Sequence, residues 1–114
     1  MIRSFVDYKE QFCRLGKHRW AVARLVELSS NLPVMKIPLK HLHVYQTYDS
    51  LTLRDMVMHM NAVMRSDLRY PIILDEDGEL MDGRHRIMKA LYLGKKKIKA
   101  VRFKENPPPC KVDE

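Results

Sequence analysis

No apolar run in the sequence approaches the roughly 18–20 residues that a membrane-crossing helix needs. There is no internal repeat and no low-complexity segment, which argues against a solenoid or a disordered chain. Cysteine is scarce: Cys13 and Cys110 stand far apart, in no CxxC pair and with no histidine at ligand spacing. That excludes a disulfide framework and gives no basis for a zinc site. The first residues mix acidic and basic side chains with apolar ones, so no secretory h-region is present. A cytoplasmic location with two free thiols is expected.

Acidic residues are absent from the stretch between Arg84 and Lys104, which carries nine basic ones. Just before it, Asp75, Glu76, Asp77, Glu79 and Asp82 form an acidic cluster. The net charge of +7 is therefore unevenly distributed, and the basic third favours phosphate-bearing partners, nucleic acid among them. For Lys95, Lys96 and Lys97 taken alone, a solvated surface is the plainer reading. Tyr92 and Phe103 are the only Phe, Tyr or Trp residues in that stretch, so base stacking is weak there. The 114 residues suffice for one domain with one modest core.

Phe5, Tyr8, Phe12 and Leu15 recur at helical spacing, Gly16 interrupts, and Trp20, Ala21, Arg24, Leu25 and Leu28 resume it. Residues 1–31 are accordingly expected to be a helical extension, with Cys13 a small core residue on it. Leu32 to Leu39 reads as an edge strand, given Pro33 and Pro38, and Leu42 to Tyr48 is ambiguous between loop and strand. Thr52 with Asp55 makes a capping box, so a helix is predicted over residues 53–65. In it Leu53, Met56, Val57, Met60, Val63 and Met64 form an apolar face. Met56, Met58, His59 and Met60 could be taken for a copper-type cluster, but the spacing predicts a core stripe. His41 and His43 lack a third ligand and read as surface residues.

Pro71 to Leu74 and Glu79 to Met81, joined by Asp75-Glu76-Asp77-Gly78, read as a β-hairpin. A second helix follows to Leu93 with Ile87, Ala90 and Leu91 inward, and Gly94 stops it. Ile98 to Phe103 is a last strand, and residues 105–114 form a proline-rich tail expected to be mobile. The predicted class is α+β, a small mixed sheet with packed helices.

The informative stretch is Asp82-Gly83-Arg84-His85-Arg86, where a strand turns into a helix. Glycine permits a sharp turn and close approach of a ligand. The free N–H groups of a helix's first turn, at the positive end of its dipole, attract anions. Arg84, His85 and Arg86 add cationic donors, although the dipole prefers carboxylates there. An anion would relieve that conflict. In the structural alternative, Asp82 caps the helix, Arg86 pairs with the acidic turn, and His85 fills the core.

The run from Leu74 through Arg86, followed by Ala90, Gly94 and the Ile98–Phe103 strand, resembles the ParB/sulfiredoxin-like superfamily over residues 34–104. The resemblance implies that the turn cradles the phosphates of a nucleotide, a nucleoside diphosphate or triphosphate with or without Mg²⁺. Sulfiredoxins carry a cysteine directly after the glycine, where this chain has Arg84, so that activity is not expected. Partition proteins read Gly-Glu-Arg-Arg, of which Gly83 and Arg86 match. Free-serine kinases read Asp-Gly-His-His-Arg, of which Asp82, Gly83, His85 and Arg86 match. Their catalytic carboxylate follows the first strand, but Lys40 to Tyr48 contains no Asp or Glu, leaving Asp49 as the nearest candidate. Catalytic candidates are then Asp82, Asp49 and His85, with Asp82 also a candidate magnesium ligand. Tyr45, Gln46, Thr47 and Tyr48 form a candidate ligand loop, their hydroxyls and amide suited to a small polar ligand. A binding or switch module is the leading expectation. A small phosphotransferase acting on a hydroxyl acceptor, and a basic nucleic-acid-binding accessory protein, are the alternatives.

Overall fold

A computed structural model of the chain describes residues 12–42 and 51–112. Its elements run β1 (Phe12–Leu15), β2 (His18–Ala21), α1 (Val22–Ser29), β3 (Met35–Pro38), a 3-10 turn (Leu39–His41), α2 (Leu53–Arg65), β4 (Ile72–Leu74), β5 (Leu80–Asp82), α3 (Arg84–Tyr92), β6 (Lys97–Arg102) and β7 (Lys111–Val112). The class is α+β. A four-stranded mixed sheet has the order β3-β6-β4-β5, with β4 and β6 parallel and the other pairs antiparallel. A second, three-stranded sheet has the order β1-β2-β7.

Strand β4 explains the architecture. Successive strand residues point to opposite faces, and Ile72, Ile73 and Leu74 are all buried. Ile72 and Leu74 join a cluster with Ile87 and Ala90 of α3 and with Ile98 and Ala100 of β6. Ile73 joins the other cluster, with Cys13, Trp20, Leu25, Met81, Val101 and Phe103. A strand covered on both faces reads as a continuous apolar run, and here it holds two core layers apart.

The β4–β5 turn is held by the buried carboxylate of Asp75, whose Oδ1 accepts from the N–H groups of Asp77 (2.9 Å) and Glu79 (2.8 Å). The predicted hairpin, the Thr52–Asp55 capping box and the two helices that follow Pro38 in sequence are all present.

Three expectations are corrected. Residues 12–21 form a hairpin rather than a helix, turning at Gly16 (φ 60) and Lys17. Cys13 lies opposite Trp20 in register, and both are buried. An aromatic against a small apolar residue is a good cross-strand pair, and burying Trp20 outweighs a helical spacing that a short segment satisfies by chance. Phe5, Tyr8 and the rest of residues 1–11 lie outside the described residues. The tail is tied down rather than loose: Trp20 Nε1 donates to Pro107 O (2.8 Å), Cys110 N donates to Arg19 O (2.7 Å), and β7 pairs with β2.

The third correction is the apolar face of α2. Leu53 (83% exposed), Met56, Val57, Met60 (63%) and Met64 all face outward. The half-buried side runs instead through Asp55, His59 and Ala62 to buried Val63. Inward-facing Leu91 is likewise corrected, since it is exposed. Helix α2 meets α3 through polar groups: Lys89 Nζ donates to Met64 O (3.1 Å) and Ser66 O (2.6 Å), covering carbonyls at the end of α2.

Candidate functional site

Strand β5 ends at Asp82, paired in register with Ile73 on the central strand. The next residue, Gly83, sits at φ 114, ψ 19 and is the N-cap of α3. Two constraints demand glycine here. The positive φ disfavours any side chain, and a Cβ would lie 2.5 Å from Ile72 Cγ2 and 3.1 Å from Ile72 Cα. The turn is thus pressed against the central strand, which fixes where the helix begins.

Helix α3 starts without a side-chain cap on its N-terminal N–H groups and without an acidic residue in its first turn. Asp82 therefore does not cap it, as the structural alternative required. Its carboxylate instead pairs with Arg86, Oδ2 to Nη2 at 2.9 Å, one helical turn along, with both side chains about one-fifth exposed. Arg86 does not reach the acidic turn. Its Nε is buried and has no hydrogen-bond partner among the described residues. Arg84 is exposed at the start of the helix.

His85 is half-buried and points at α2. Its Nε2 lies 2.9 Å from His59 Nδ1, with ring centroids 5.2 Å apart and planes tilted by 42°. One imidazole donates and the other accepts, so a neutral pair, or a pair sharing a single added proton, is compatible with the contact. Burial pushes the His85 imidazole below its ordinary value, the positive charge of Arg84 acts the same way, and Asp82 opposes them. Burial thus disfavours the imidazolium form of His85 and makes it a poor fixed cation.

The structure thus brings Asp82, Gly83, His85 and Arg86 to one turn. Asp49, Tyr45, Gln46, Thr47, Tyr48 and His43 lie outside the described residues. His41 is exposed at the end of the 3-10 turn. His59 was not singled out as a partner of this turn. The available signal was its place in α2, four residues before Val63, on the side away from the methionines. Cys13 is buried, and burial, with Asp82 and Asp75 nearby, pushes its thiol up to about 11, so it is not a nucleophile.

An anion suits the turn: the first turn of α3 has no side-chain cap, Gly83 carries no Cβ, and Arg86 Nε has no hydrogen-bond partner among the described residues. A magnesium ion fits less well, because Asp82 already serves Arg86 and, among the described residues, no three His, Cys, Asp or Glu side chains are placed to hold a metal ion together. A separate hollow of about 550 Å³ beside Trp20, walled by Pro107 to Pro109, includes none of residues 82–86. No helix among the described residues is long and apolar enough to cross a membrane. No family model, no curated protein and no solved structure matches the chain.

Proposed function

We propose that the chain is a ParB/sulfiredoxin-like domain that binds a nucleotide or another phosphate-bearing ligand at the amino end of α3, and acts as a binding or switch module. The observation that carries this reading is the start of α3 itself. A first turn with no side-chain cap and no carboxylate of its own rises from a left-handed glycine beside a guanidinium whose Nε has no acceptor among the described residues. Helix dipole and backbone donors favour an anion there. Asp82 supports the site by orienting Arg86.

Binding without transfer is the better-supported form of this reading. A carboxylate base beside the acceptor would favour a phosphotransferase, but Asp82 is held by Arg86 and Lys40 to Tyr48 has none, which leaves Asp49 as the nearest carboxylate candidate. The test is calorimetric binding of inorganic phosphate, ADP and ATP, with Mg²⁺ and with EDTA, to the full chain and to two variants. Arg86→Ala is expected to weaken binding by about 1.5–3 kcal/mol, the worth of a charge-assisted hydrogen bond. Asp82→Asn keeps an acceptor for Arg86 and should leave any Mg²⁺ effect unchanged. Full-strength binding by Arg86→Ala refutes the site. Loss of a Mg²⁺-dependent gain in Asp82→Asn favours the phosphotransferase over the module.

A further inference from the structure

Lysines distant in the sequence converge on the β3 edge of the four-stranded sheet, which pairs with no further strand among the described residues. A hollow of about 440 Å³ is lined by Lys36 of β3, by Lys95, Lys96, Lys97 and Lys99, and by Leu68 and Ile98. Lys36 and Lys99 are register partners on antiparallel strands, so their side chains leave the same face directly opposite one another. Lys97, two residues from Lys99 on the same strand, shares that face. Like charges opposed in this way repel. No carboxylate lines the hollow, and none is ion-paired with these lysines among the described residues.

The backbone carrying these charges is fixed. Gly94 (φ 71) ends α3, Lys95 N donates to Ala90 O (2.9 Å), and Leu39 N donates to Lys96 O (2.9 Å). The array is therefore held in place by the fold rather than being a frayed basic tail.

We propose that this hollow seats the phosphate backbone of duplex nucleic acid, in a contact that is blind to base sequence. Lysine is a compact point charge without arginine's forked geometry, suited to phosphates met in no fixed orientation. Lys97 and Lys99 stand about 6.8 Å apart along β6. That is two steps of the ~3.4 Å axial spacing of phosphates on one DNA strand. Among the described residues no aromatic ring lines the hollow, which disfavours a single strand with splayed bases. Its apolar members, half-buried Leu68 and buried Ile98, offer nothing to insert into a lipid surface. The proposal does not depend on the phosphate site at Gly83.

The experiment is titration of the full chain into a fluorescein-labelled mixed-sequence 20-base-pair DNA duplex, from about 50 to 200 mM salt. The paired variant Lys36→Gln/Lys99→Gln is expected to bind at least tenfold more weakly at the lowest salt. Its slope of log affinity against log salt should fall by about 1.8, for two lost phosphate contacts. Its melting midpoint should stay level or rise, because a repulsive pair is gone, so misfolding cannot account for the loss. Lys36→Arg/Lys99→Arg should retain binding. Lys17→Gln/Arg54→Gln, which removes equal charge elsewhere, should change the slope far less. The proposal is overturned if the full chain does not bind duplex. It is equally overturned if both Gln pairs lose affinity alike, if inorganic phosphate displaces the duplex at constant ionic strength, or if phosphatidylserine vesicles are bound and duplex is not.

Discussion

His59 of α2 and His85 of α3 place their imidazoles in hydrogen-bond contact, Nδ1 to Nε2 at 2.9 Å. This joins the helix with the outward methionines to the helix that begins at the proposed anion site. The contact tolerates one added proton and opposes a second.

The folded His85 pKa is depressed below the ordinary 6.5, chiefly by burial. The unfolded chain therefore takes up protons first as pH falls, and folding stability falls with it. The contribution of neutral His85 is present above pH 6.5 and is lost as pH drops through that value toward the lower folded pKa. NMR titration of the His85 ring should give a midpoint below 6.5. Saturating phosphate should move that midpoint upward, because an anion favours the imidazolium. A midpoint above 6.5 in the free protein, or one indifferent to phosphate, contradicts this arrangement.

Gly83→Ala should be among the more damaging single-methyl changes in the chain. It forces a side chain into φ 114 and sets a Cβ 2.5 Å from Ile72 Cγ2. Backbone strain and overpacking together are expected to cost about 2–4 kcal/mol. Urea unfolding measures this directly, and a wild-type midpoint would show that the turn is looser than described.

Helix α2 offers a sharper contrast. Met60→Gln alters a residue that is 63% exposed and should change stability by less than about 0.5 kcal/mol. Val63→Ala removes buried methyl groups and should cost about 1–3 kcal/mol. Reversal of that order in thermal unfolding would mean that the methionine face is the buried one.

The two thiols should differ in reactivity. Cys110 is exposed, whereas Cys13 is buried with its thiol pushed up to about 11. At pH 8 the native protein should consume one equivalent of an aromatic disulfide reagent rapidly, and the second only in denaturant. Two equivalents reacting at the same rate in the native state would show that β1 does not cover Cys13.

Much of the local structure was legible in the residues because its causes are local. Thr52 and Asp55 bond each other's backbone. Asp75 closes its own turn. A glycine between an apolar strand and a basic run can do little but turn the chain into a helix. Periodicity, by contrast, shows that α2 has an apolar face but not which way it points. Burial depends on the neighbour, and α3 presents His85 and Lys89 rather than an apolar seam.

The helical spacing of Phe12 and Leu15 yielded to the pairing of Cys13 with Trp20, which the sequence does not announce. What the sequence determined by itself was the strand–glycine–helix turn at Gly83, with its basic side chains, and the elements on either side of it. The tertiary structure alone decided that Arg86 turns back to Asp82, that His59 meets His85, and that Lys36 stands opposite Lys99. All three relations join residues on different elements. Contacts of that kind follow from how the sheet and helices pack, not from any pattern read along the chain.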